Sequence, residues 1–172
     1  MKSFCLILSI CLLCCNAVFA NVYEYPVSLE SISRQTPEFE SIRCKFKQEK
    51  TMPNIENPLI SSGDFEFIAG EGIHFYTTNP IKTSTDYTNK NYRQINDVIN
   101  AISTKKYSSL EKEFDFFYKN QIDDWHLGLK PKAGTNAKDF ISSITITGSN
   151  NFIKYIEILQ TNGNKTALWF YK

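Results

Sequence analysis

The chain has 172 residues, with 19 Lys and Arg against 18 Asp and Glu, 14% aromatic residues and five cysteines. That length suits one domain with a substantial core, and the near-zero net charge excludes long-range attraction to nucleic acid or to an anionic membrane surface. Residues 1–20 run from Lys2 through the uncharged stretch Phe4 to Leu13 to Val18-Phe19-Ala20, the charged, apolar and small-residue order of a cleavable secretory leader. Cleavage there would leave Asn21 as the first residue of a single domain, 21–172. Acylation of Cys14 or Cys15 is the competing reading of the same stretch. Four of the five cysteines lie in the leader, so Cys44 remains alone and no internal disulfide is expected.

From residue 21 the chain is first mixed and polar, and Val27, Leu29 and Ile32 predict a short amphipathic helix before Pro37. At Ser41 the period becomes two. Ile42, Cys44 and Phe46 alternate with Arg43, Lys45 and Lys47, which predicts a half-buried strand with Cys44 a buried structural cysteine on its inner face. A second strand, Gly63 to Phe67, turns through Gly70-Glu71-Gly72 into a third, Ile73 to Thr78, that Asn79-Pro80 closes. Lys82 to Thr88 is a weaker, polar strand pattern, and Thr88 to Asn91 has turn composition.

Two helical patterns follow. Ile95, Val98, Ile99 and Ile102 share one face, as do Leu110, Phe114 and Phe117 behind Ser108 or Ser109 as a cap; Glu111, Lys112, Glu113 and Asp115 are then the wet side of that second helix. Asp123-Asp124 reads as a solvated loop. Strands resume at Trp125, Leu127 and Leu129, at Phe140 to Thr147, at Phe152 to Gln160 and at Thr166 to Tyr171. The linkers Lys132 to Asn136, Gly148 to Asn151 and Asn162 to Asn164 are turn formers, so the strands should meander antiparallel. The sum is an α+β chain, mainly antiparallel β, with seven or more strands and one helical interruption. Its inward aromatic and aliphatic side chains either fill a core or line a pocket.

The segments Phe46-Lys47-Gln48, Ser62-Gly63-Asp64-Phe65, Gly72 to Pro80, Tyr92-Arg93-Gln94-Ile95, Leu127 to Lys132 and Ile141 to Thr147, in this order and spacing, resemble the LolA-type outer-membrane lipoprotein carriers. The resemblance spans nearly all of 21–172. It implies a periplasmic protein built as an unclosed, half β-barrel, with helices as a lid over an apolar cavity that receives acyl chains. It implies as partners a lipoprotein or other lipid, an inner-membrane transporter and an outer-membrane acceptor, with no cofactor. Where the carriers place an inward arginine before the hairpin, this chain has Ala69 or Gly70.

The residues alone support the same reading. Each methylene removed from water contributes about 0.8 kcal/mol, so a chain of a dozen methylenes brings roughly 10 kcal/mol before binding costs. The expected lining is Phe46, Phe65, Phe67, Ile73 and Phe75 from the early strands and Leu127, Leu129, Ile144, Ile146, Ile156 and Ile158 from the later ones. Ile95, Ile99, Leu110 and Phe114 are expected to reach it from the helices. His74 and His126 sit on different predicted strands without metal-ligand spacing, and beyond the leader there is no Gly-x-Ser-x-Gly elbow, Walker loop or Cys-x-x-Cys. No catalytic residue, metal or nucleic acid is expected, and the protein is expected to be a monomer. A non-catalytic envelope binding or sensing module, presenting the Arg43, Lys45 and Lys47 row, is the alternative. An exported hydrolase is the third reading.

Overall fold

The computed structural model describes residues 21–86 and 93–172, so the leader and the predicted turn Thr88 to Asn91 lie outside the described residues. Among the described residues nine antiparallel strands form one sheet: β1 (Ser41–Met52), β2 (Ile55–Ile68), β3 (Gly72–Asn79), β4 (Thr83–Asp86), β5 (Phe114–Gln121), β6 (Asp124–Pro131), β7 (Ile141–Ser149), β8 (Phe152–Gln160) and β9 (Lys165–Tyr171). Their order is β4-β3-β2-β1-β9-β8-β7-β6-β5. β4 and β5 are the two edges and do not pair with each other, so the sheet is unclosed. Four α-helices accompany it among the described residues: α1 (Leu29–Gln35), α2 (Arg93–Thr104), α3 (Ser108–Glu111) and α4 (Asn136–Phe140). None of the described helices is long and apolar enough to cross a membrane.

Strand alternation sorts the side chains into two faces. Register places Phe46 opposite Phe170, Phe65 opposite Phe75, Leu168 opposite Ile156 and Ile146 opposite Leu127, all on one apolar face. That face is closed by α1 and α2. Ser28 Oγ caps α1 by accepting from Ser31 N at 3.2 Å, which aims Ile32 into the core with no exposed surface. From α2, Ile95, Val98, Ile99, Ala101 and Ile102 are all buried. The aromatic rings meet edge-on or tilted, Phe46 to Phe75 at 4.9 Å and Phe65 to Phe170 at 4.6 Å between centroids, a favoured geometry for ring pairs.

Several expectations are corrected. The predicted second helix over Leu110 to Phe117 stops at Glu111, and Phe114 begins β5. The 110, 114, 117 spacing imitates a helix, but Phe114, Phe116 and Tyr118 alternate, are each 5% exposed and pair in full register with β6. Phe117 and Asp115 therefore point to the other face. Tyr107 rather than Ser108 or Ser109 holds the N-cap position of α3, without a side-chain capping bond.

Further changes follow the same competition between local pattern and pairing. β2 starts at Ile55, eight residues before the predicted strand, because β1 continues as its partner through Met52 and an edge segment tolerates Pro58. The linker after Lys132 contains α4, and Phe140 ends that helix instead of opening a strand. Asp124 begins β6 and pairs with Lys154 at 2.6 Å. Cys44 is half-buried at the margin of the core, not enclosed by it.

Candidate functional site

At one end of the apolar face, a cavity of about 310 Å³ lies between α2, α3, α4 and the first residues of β5 and β7. Val98, Leu110, Phe114, Ala137, Ile141 and Ile144 form its apolar wall, and Asp97, Ser109 and Glu113 its polar members. Asp97 and Ser109 are exposed whereas Val98, Leu110, Phe114, Ile141 and Ile144 are buried, so the polar groups mark the solvent side. The volume is at the lower bound of the roughly 300–1,000 Å³ usual for small-molecule sites.

The wall is held by local bonds. Glu113 Oε2 accepts from Ala137 N at 3.1 Å, and Glu113 O accepts from Lys132 N at 2.8 Å, which fixes the start of α4 against the start of β5. A carboxylate at a helix start also satisfies an amide that the helix itself leaves free. Behind the cavity, Thr36 Oγ1 donates to Ile32 O at 2.8 Å and lies 2.6 Å from Tyr107 Oη, joining α1 to the α2–α3 connection. Tyr118 Oη donates to Gln35 O at 3.1 Å and ties the same helix to β5.

The structure brings Leu110, Phe114 and Ile144 to the cavity from among the expected lining residues. Phe46, Phe65, Phe67, Ile73 and Phe75 pack into the aromatic part of the core; Ile95 and Ile99 cover it from α2. Leu127, Leu129, Ile146, Ile156 and Ile158 are buried along the same sheet face, none more than 5% exposed. Asp97, Val98, Ser109, Glu113, Ala137 and Ile141 complete the lining and were not in the expected set. Val98 shared the helical stripe of Ile95 and Ile99 and so carried a legible signal, whereas Ile141 is out of phase with Ile144 and turns inward only because the register shifts between Ile141 and Ser143. Ala137 did not, because α4 was hidden in a turn-like stretch.

The ionisable groups with displaced pKa lie elsewhere. Burial pushes the Tyr107 phenol up to about 12, against the opposing bond to Thr36. Burial, reinforced by Asp64, pushes the Cys44 thiol up to about 11 and keeps it protonated and unreactive near neutrality. Burial lowers the pKa of His126, whose ring nitrogens lie 3.1 Å from Thr147 Oγ1 and from Gln121 Oε1. His74 stacks on Tyr76, and among the described residues no three metal-ligating side chains converge. On the convex face Arg43, Lys45 and Lys47 pair with Glu66, Asp64 and Glu49, so that basic row is locally neutralised.

No family model and no curated protein matches the chain. Among solved structures, the crystal structure of a LolA superfamily protein from Nitrosomonas europaea aligns with 85% of this chain and 92% of its own, at 9% identity and a TM-score of 0.38.

Proposed function

We propose that the protein is a non-enzymatic periplasmic carrier that shelters the acyl chain of a lipoprotein or other lipid between the inner and the outer membrane. The observation that carries this reading is the cavity walled by Val98, Leu110, Phe114, Ala137, Ile141 and Ile144 beneath α2 and α3. The leader and the sequence resemblance to lipoprotein carriers support it. Binding by such a wall needs apolar area, not reactive groups, and its gain is set by methylenes withdrawn from water, about 0.8 kcal/mol each.

The cavity receives the first part of a chain, and the remainder follows the buried face of α2, exchanging contacts with Val98 and Ile99 for contacts with lipid. Such an exchange keeps apolar surface dry on both sides, so it costs far less than opening the core to water. Native mass spectrometry of the protein taken gently from a periplasmic extract is expected to show an added mass that organic extraction removes and identifies as lipid. Protein that is always empty, and that takes up no acyl probe at micromolar concentration, would overturn the reading.

A further inference from the structure

The apolar face changes character toward the hairpin end of β1. Register sets Gln48 between Ser61 of β2 and Leu168 of β9, and Lys50 between Leu59 and Thr166. The same row continues from Thr166 to Ile158 and from Ile158 to Ile144. Lys50 therefore stands three strand spacings, about 14 Å, from a residue of the cavity wall.

Two groups in this patch lack the partners their chemistry calls for. Gln48 is 6% exposed; its Nε2 donates to Ser61 Oγ at 3.3 Å, but among the described residues nothing donates to its Oε1. A buried carbonyl oxygen in that state is the exception in folded proteins. Lys50 is half-buried on the strand positions that face inward, and among the described residues no carboxylate pairs with it, although Lys45 and Lys47 of the same strand are paired with Asp64 and Glu49. A cation and an acceptor are thus both open, two residues apart on one strand.

We propose that Lys50 and Gln48, with the hydroxyls of Ser61 and Thr166, form a head-group subsite for an acyl amphiphile whose head carries a negative charge beside a hydrogen-bond donor; an N-acyl amino acid is the simplest example. Lys50 takes the anion, and Gln48 Oε1 accepts from the N–H where head and chain join. The orientation follows from charge: Asp97 is paired with Arg93 at 4.0 Å, but Glu113, with no ion-pair partner among the described residues, repels an anionic head at the cavity, so the tail occupies the cavity and the head lies toward Lys50. This subsite deepens the carrier reading and rests on it.

The test compares N-palmitoylglycine, its methyl ester and methyl palmitate as competitors for a fluorescent acyl probe on the mature chain, with thermal melting as a check of folding. The wild type is expected to bind N-palmitoylglycine about tenfold more tightly than its methyl ester, the scale of one charge-assisted hydrogen bond. Lys50→Met should erase that preference and leave the ester's affinity unchanged, whereas Lys50→Arg should retain it. Gln48→Leu should weaken the glycine ester, which keeps its N–H, toward methyl palmitate. If the wild type binds all three alike, or Lys50→Met keeps the preference, the subsite is overturned while the carrier reading stands. If Gln48→Leu melts higher with unchanged affinities, Gln48 is a packing residue and the donor half of the subsite falls. If the wild type takes up none of the three, the carrier reading itself fails.

Discussion

Tyr107 is the residue on which the helical cover depends most visibly. It is 1% exposed, touches Phe116 edge-on at 5.8 Å, and reaches Thr36 at 2.6 Å. Because the Thr36 proton is committed to Ile32 O, Tyr107 is the donor of that bond. Tyr107→Phe leaves Thr36 bonded to Ile32 and should cost about 1 kcal/mol, read from urea midpoints at neutral pH. Burial of the phenol also makes this residue pH-linked. The folded phenol has its pKa raised from 10.0 to about 12, so the stabilisation is complete below pH 10 and is lost as pH rises from 10 toward 12. The gap between wild type and Tyr107→Phe should narrow across that window, and a gap that stays constant would show that Tyr107 does not ionise with unfolding.

At the scale of elements, the N-terminal segment performs a task that alternation alone does not announce. Val27 N donates to Phe116 O at 3.0 Å and Tyr118 N to Tyr25 O at 2.9 Å, so residues 25–27 cover the free edge of β5. Just before them, Tyr23 lies on the convex face against Gly128, where an added Cβ would come within 2.7 Å of its ring, and its hydroxyl donates to Ile144 O at 3.0 Å. A chain beginning at Ser28 should lose about 2 kcal/mol, one buried hydrogen bond plus part of an aromatic side chain, and should self-associate through β5 in size-exclusion chromatography with light scattering. A monomer with an unchanged melting midpoint would contradict this role. The long inward alternations were legible in the sequence, as Ile42-Cys44-Phe46 and Ile144-Ile146 illustrate, because each buries one face of a strand. The stretch from Leu110 to Phe117 reads as a helix because its apolar residues satisfy both periods, and only the full partner strand, Asp124 to Pro131, selects the extended form from Phe114 on. The edge cover and α4 were not legible, since short segments of Asn, Tyr, Pro, Thr and Gly are shaped by what they dock against. Of the candidate cavity, the sequence marked Leu110, Phe114 and Ile144, but not Ala137 or the polar members Asp97 and Glu113.

For the whole molecule, the decisive feature is an open nine-stranded sheet whose apolar face is covered by short helices instead of by a second sheet. A closed barrel would fix its interior volume; a sheet covered by helices allows the cover to move while the strand hydrogen bonds stay intact. α2 and α3 meet the sheet through apolar side chains such as Ile99 and Leu110, whereas α1 is also tied to β5 by the bond from Tyr118 Oη to Gln35 O. The most direct measurement is titration of delipidated protein comprising residues 21–172 with a fluorescent acyl probe, wild type against Ala137→Trp. Ala137 lines the cavity yet is only half-buried, so the indole fills the space without displacing the aromatic core. Saturable uptake by the wild type, with affinity reduced at least tenfold in a variant that melts as the wild type does, is the predicted result; equal uptake by both proteins, or none by either, would contradict an acyl-binding cavity at this place.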